Sequence, residues 1–192
     1  MPTSSLVERA RRIALLTRKT SVEEGSDSWC TAERDLEPVY VVLGSPVGVD
    51  PCSNENSLVK AVRSFNKEQD GYRRSWVVGR APRTAYFNPP YGDDTKGEKG
   101  LGSWITKAHS EWLVNRVESI GLLPARTSRK VFHELCYPPN ASICFIKGRM
   151  TFVGAPHPAP FPTCYVLFGR AVTHRKFAEV FASRGTVWPL KG

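Results

Sequence analysis

Two adjacent prolines, Pro89 and Pro90 in the run Phe87-Asn88-Pro89-Pro90-Tyr91-Gly92, constrain this chain more than any other feature. Each fixes φ near −65° and lacks an N–H, so a continuous helix or sheet ladder does not pass through them. The preceding Thr84-Ala85-Tyr86-Phe87 has the composition of a short buried strand. The chain therefore leaves a sheet at Asn88, and in an open α/β fold the C-terminal ends of the strands are the edge where ligands bind.

The residue types at that exit suit a particular chemistry. A planar exocyclic amine is a poor nucleophile because its lone pair is delocalised into the π system. The Asn88 side-chain oxygen and the Pro89 backbone carbonyl are acceptors able to engage both N–H groups and aim the lone pair at a methyl donor, a preorganised electrostatic arrangement. Pro90 keeps the turn stiff. Tyr91 offers a ring face for a planar group and for the positive charge that grows on the nitrogen. The competing reading is a rigid Pro-Pro turn with no chemistry.

At 192 residues the chain suffices for one domain with a substantial core. We divide it into a basic N-terminal arm, 1–28, and a single domain, 29–192. The longest apolar runs, such as Val39 to Gly44 and Tyr165 to Gly169, are strand-sized and too short to span a membrane. No signal peptide is evident, which points to the cytoplasm. Cys30, Cys52, Cys136, Cys144 and Cys164 are scattered without a C-x-x-C pair, and His109, His133, His157 and His174 are equally dispersed. Neither a disulfide framework nor a metal site is expected. A net charge of +9 favours polyanionic partners, although a merely solvated basic surface gives the same number.

Residues 3–19 have the pattern of a basic amphipathic helix, suited to nucleic-acid backbone or to a frayed terminus. From Trp29 onward, strands and helices alternate. A short helix over 32–38 is expected to lead into a strand at Val39–Leu43. A strand around Val47-Gly48-Val49 then delivers Asp50 to its C-terminal end. Leu58, Val59, Val62 and Phe65 are spaced for one face of a helix from Ser57 to Phe65, with Asn54 or Asn56 as its cap. An acidic strand end, a polar turn and a helix N-terminus would form a cradle for a nucleoside cofactor; plain capping is the bland alternative.

The glycine- and charge-rich segment 92–103 reads as a mobile loop or lid. A helix at about 103–117, a strand at about 117–123 and a further helix after Leu122-Leu123-Pro124-Ala125-Arg126 follow. Ile143–Ile146 and Met150–Val153 suggest a late β-hairpin with Lys147-Gly148-Arg149 at its tip. Tyr165–Phe168 reads as a strand and 174–183 as a closing helix. Arg126, Arg129, Lys147 and Arg149 are candidates for DNA contact, against the alternative of a solvated basic face.

Several motifs occur together: W-C-T at 29–31, LGSPVGVDPCSN at 43–54, D-G-Y at 70–72, FNPPYG at 87–92, LLPARTSRKVFHE at 122–134, FIKGRMTF at 145–152 and APFP at 159–162. In this combination, from about Trp29 to about Trp188, the chain resembles the phage and prophage DNA N6-adenine methyltransferases of the Dam-like type. The resemblance implies S-adenosylmethionine as methyl donor, a Rossmann-like sheet, and adenine N6 in double-stranded DNA as acceptor. The base would be flipped out of the duplex, and the setting would be a bacterial or phage-infected host cell. Carried over, Asn88 and Pro89 would hold the target amine and Tyr91 would stack on the flipped base. Asp50, with Cys52 and Asn54 in the same turn, would lie near the donor's methionine or ribose portion. Trp29 and Thr31 would help close that pocket, and Asp70 would reach the donor's adenine.

The chain departs from the wider methyltransferase pattern in having Cys52-Ser53-Asn54 in place of an F-x-G-x-G turn. The short interval between Asp50 and Asn88 leaves room for about one helix and one strand, so a trimmed central sheet is expected. The same chemistry on cytosine N4, an RNA base or a glutamine side chain remains open at this level. So do an inactive nucleic-acid-binding relative and an unrelated basic α/β module. Recognition sequence and oligomeric state are not legible.

Overall fold

A computed structural model describes residues 29–188; the expected basic arm 1–28 and its helix over 3–19 lie outside them. The elements run α1 (Glu33–Leu43), β1 (Val47–Asp50), β2 (Ala61–Ser64), β3 (Thr84–Phe87), α2 (Leu101–Asn115) and β4 (Glu118–Pro124). A π-helical turn (Phe132–Cys136), β5 (Ser142–Ile146), β6 (Thr163–Phe168), α3 (Ala171–Phe181) and β7 (Gly185–Trp188) complete the order. The strands form one mixed seven-stranded sheet in the order β2-β1-β3-β4-β6-β5-β7. β2, β1, β3 and β4 are parallel, and the pairs β4–β6, β6–β5 and β5–β7 are antiparallel.

Every residue of β1, β3 and β4 is buried, which is why these strands show no polar alternation. The two faces can be read from β6. The Tyr165 ring meets Phe181 of α3 at 4.8 Å and its hydroxyl donates to the Asp35 carbonyl of α1 at 2.8 Å. Phe168, an odd number of positions away, meets His109 of α2 at 5.5 Å. Successive strand side chains point to opposite faces, so α1 and α3 cover one side of the sheet and α2 the other. Gly121 of β4 sits under the Phe87 ring, where an added Cβ would come within 2.4 Å of the ring carbon.

Three sequence expectations are corrected. Val39–Leu43 is the second half of α1, not a strand: Leu36, Val39 and Val42 recur on one buried helical face while Val41 is exposed. Ser57 to Phe65 forms no helix, so neither Asn54 nor Asn56 caps one. Ala61–Ser64 instead pairs in parallel with β1, and of the expected apolar face Leu58 and Val62 are exposed while Phe65 is buried. Without β2, the outer N–H and C=O groups of β1 would lack ladder partners. Met150–Val153 does not return as a hairpin strand, because both edges of β5 are taken by β6 and β7. Its β pairing is an isolated bridge between Val153 and Cys30. β7 itself gave no sequence signal that we recognised.

Candidate active site at the C-terminal edge of the sheet

From β1 the chain steps outward to β2 and then back across to β3, so the strand order reverses between β1 and β3. A crevice at the C-terminal ends of such a strand pair is the usual ligand site of open α/β sheets. Asp50 ends β1 and Asn88 follows β3, which places both at the C-terminal ends of this strand pair.

The Asn88 amide is held from two sides. Its Nδ2 donates to the Trp29 carbonyl at 3.1 Å, and its Oδ1 accepts from the Tyr91 hydroxyl at 2.6 Å. A backbone carbonyl only accepts, so the nitrogen must face Trp29 and the orientation of the amide is fixed. Pro89 and Tyr91 are buried and Pro90 partly so. The Tyr91 ring lies nearly perpendicular to Phe161 at 5.6 Å and inclined to Phe152 at 6.4 Å. Its hydroxyl also approaches the Leu122 carbonyl of β4 at 3.3 Å. Burial raises the Tyr91 phenol well above its ordinary range, which keeps it a donor at neutral pH.

Trp29, Cys30 and Thr31 lie across this edge. The Trp29 ring stacks on Phe152 at 5.5 Å, Cys30 Sγ donates to Asn54 Oδ1 at 3.1 Å, and the Thr31 hydroxyl meets the Tyr86 hydroxyl at 2.7 Å. Segments 29–31, 50–54 and 88–91, far apart in the chain, are thereby joined. Phe152, Phe161 and Tyr86 belong to the site and were not singled out from sequence. Phe161 stands in the APFP motif that carried the resemblance; Tyr86 carried no signal beyond strand periodicity.

Asp50 is 3% exposed. Its carboxylate accepts from the Cys52 N–H at 3.1 Å and the Ser57 hydroxyl at 3.0 Å. Desolvation pushes its pKa up to about 6, against these hydrogen bonds, which favour the charged form. Asp70 lies in a left-handed turn and pairs with Arg73 at 3.2 Å. The next residue brings it toward the site: a Cβ on Gly71 would stand 2.2 Å from the Pro51 carbonyl, so only glycine allows this approach.

The four basic candidates fall on the same sheet edge. Arg126 and Arg129 follow the C-terminal end of β4, and Lys147 and Arg149 follow that of β5. Lys147 and Arg149 are exposed, whereas Arg129 is ion-paired with Asp93, which holds the Asp93 carboxyl below its usual range. The loop before α2 is folded on Asp94, whose carboxylate accepts from the Gly100 N–H at 2.7 Å and the Ser103 hydroxyl.

Among the described residues, no group of three or more His, Cys, Asp and Glu side chains is placed to hold a metal ion. No described helix is long and apolar enough to cross a membrane. No curated protein and no solved structure matches the chain. The family model for DNA N-6-adenine-methyltransferase (Dam) matches residues 18–161, most of the chain and all of the segments joined at this sheet edge. The chain belongs to the Dam family of DNA N-6-adenine-methyltransferases.

Proposed function

We propose that this protein transfers the methyl group of S-adenosylmethionine to N6 of adenine at specific sites in double-stranded DNA, on a trimmed Rossmann-like sheet. The observation that carries the reading is the fixed Asn88 amide at the C-terminal ends of β1 and β3, in a chain of the Dam family. An amide oxygen has two lone pairs. Tyr91 engages one, which leaves the other to accept from the target amine, while the Pro89 carbonyl accepts from its second N–H.

The residues at the crevice fit a sulfonium nucleoside of this kind. A carboxylate has about four acceptor positions, so Asp50 retains capacity for ammonium or hydroxyl groups beyond Cys52 and Ser57. Asn54, Cys52, Trp29 and Thr31 would line the same pocket, with Asp70 at its adenine end. When bound, the donor supplies an activated methyl group on a good leaving group. The chain's part is then positioning, which accounts for a large share of the rate in reactions of this type. No general base is required before attack, because the amine proton becomes acidic only after nitrogen has gained the methyl group.

A duplex base must leave its stack to reach Asn88, at a cost of a few kcal/mol. Tyr91 is the aromatic group at hand to offset part of that by stacking. Its buried ring would have to gain a free face as the base enters. Arg126, Arg129, Lys147 and Arg149 would meet the DNA from the same edge, Arg129 exchanging Asp93 for phosphate.

The test is product analysis after incubating the purified protein and labelled donor with unmethylated duplex DNA, RNA and protein. N6-methyladenine in duplex DNA is the expected product. N4-methylcytosine, methylated RNA or methylated glutamine would replace the proposed acceptor. No product, with no heat on titrating the donor, would make the chain an inactive nucleic-acid-binding relative.

A further inference from the structure

At the C-terminal end of β2 lies a cleft of about 480 Å³ lined by Arg63, Phe65, Gln69, Arg74, Ser75 and the 77–79 segment. No acidic side chain lines it. Segment 60–83 holds seven Lys and Arg against two Asp and Glu, so it carries +5 of the chain's +9. Several of these charges are locally engaged: Lys67 pairs with Glu98, Arg73 with Asp70, and Arg83 donates to the Asn115 carbonyl at 2.6 Å. The two arginines of the cleft are held differently. Arg63 lies over the Phe65 ring at 5.3 Å, and Arg74 uses its Nε to donate to the Gln69 carbonyl at 3.1 Å. A guanidinium carries five N–H donors, so both retain donors directed by these fixed stems.

The location matters as much as the charge. Phe65 N–H donates to the Asp50 carbonyl at 2.9 Å and Ser53 N–H to the Phe65 carbonyl at 2.9 Å, which ties the cleft to the turn after β1. β2 and β3 are two strand spacings apart, about 10 Å. That is about three base steps along one DNA strand at 3.4 Å each.

We infer that this cleft is a clamp for nucleic-acid backbone phosphates, with Arg63 and Arg74 as the contacting residues, on the side of the crevice opposite Arg126 and Lys147. The inference rests on the DNA reading above and extends it to a surface that the motif pattern did not mark. A DNA strand lying along the C-terminal edge of the sheet would be gripped on both flanks of the Asn88 crevice. Because the contacts go to phosphate, they add affinity and register without sequence preference.

The experiment compares wild type with the double variant R63A/R74A on random-sequence duplexes, by fluorescence anisotropy across a salt series. Titration with S-adenosylhomocysteine and a methylation assay run in parallel. Both side chains are exposed, so the fold should survive, and a thermal melt verifies this. The clamp predicts weaker binding on every duplex, a log–log salt slope shallower by about two, and an unchanged affinity for S-adenosylhomocysteine. An unchanged slope overturns the clamp. Loss of S-adenosylhomocysteine affinity also overturns it, by assigning the cleft to the donor. The predicted loss of slope in R63A/R74A, with a wild-type protein that transfers no methyl group, would support the clamp and overturn the functional reading instead.

Discussion

The Tyr91 hydroxyl donates to Asn88 Oδ1 at 2.6 Å, so the phenol orients the amide that we propose holds the substrate. Tyr91 therefore has a polar role distinct from its ring. Tyr91→Phe keeps the ring and removes the donor, and a lost hydrogen bond of roughly 1 kcal/mol corresponds to about a fivefold fall in turnover. Asn88→Ala removes both acceptor and frame, and turnover should fall by about a thousandfold or more. Steady-state methylation with calorimetric titration of S-adenosylhomocysteine checks both, since neither variant should lose more than a fewfold in donor affinity. Near-normal turnover in Asn88→Ala would remove the clamp from the mechanism.

Burial of Asp50 carries a stability cost with a defined pH signature. Its folded pKa of about 6 lies above its ordinary 3.8, so the native state keeps a proton that the unfolded chain releases. Stability is then highest below about pH 4 for this group and falls as pH rises to about 6, by on the order of 3 kcal/mol. Asp50→Asn does not ionise, so its stability should lack this fall and exceed wild type at pH 7.5. Its affinity for S-adenosylhomocysteine should drop at least about tenfold, as expected when a charged hydrogen bond is lost. Urea unfolding at several pH values decides the matter; an identical pH slope in the variant would rule out Asp50 as the source.

Gly71 marks where the 70–72 turn meets the turn after β1. An added Cβ would stand 2.2 Å from Pro51 O, a backbone atom that cannot swing aside. Gly71→Ala should destabilise by about 1–3 kcal/mol, as overpacking does, and weaken S-adenosylhomocysteine binding. Gly97→Ala, with nothing within 4 Å, is the control, expected within about 0.5 kcal/mol of wild type. Equal melting temperatures for the two variants would show that the close approach does not constrain the fold.

Glu118 anchors α3 from the far edge of the sheet. Its carboxylate accepts from the Arg170 N–H and guanidinium, each at 2.8 Å, and from the Thr173 hydroxyl. Burial alone would raise its pKa, but these bonds outweigh burial and lower it. Its stabilisation is therefore present above its ordinary pKa and lost as pH falls below it. Glu118→Ala should cost about 2 kcal/mol by uncapping the helix and leave S-adenosylhomocysteine binding intact, because the crevice lies at the opposite ends of the strands. Denaturant unfolding and calorimetry together test this, and a loss of affinity equal to the loss of stability would contradict it.

The amino-acid sequence alone determined the strand exit at Asn88, because consecutive prolines forbid both regular ladders whatever surrounds them. It also determined β1 ending at Asp50 and the fully buried β4 and β6, whose apolar runs have strand length. The identity of β2 was not local: Ala61–Ser64 lies in a stretch, Ser57 to Phe65, with helical apolar spacing and becomes a strand because the edge of β1 supplies hydrogen-bond partners there. Val39–Leu43 went the other way, its β-branched residues drawn into α1 by packing at Leu36, Val39 and Val42. In the site, the motif gave Asn88 and Tyr91 but not the hydrogen bond between them, nor the Trp29 carbonyl that fixes the amide. Local sequence records backbone prohibitions and apolar periods; which edge finds a partner, and which distant carbonyl faces a side chain, is decided only when the whole sheet has closed.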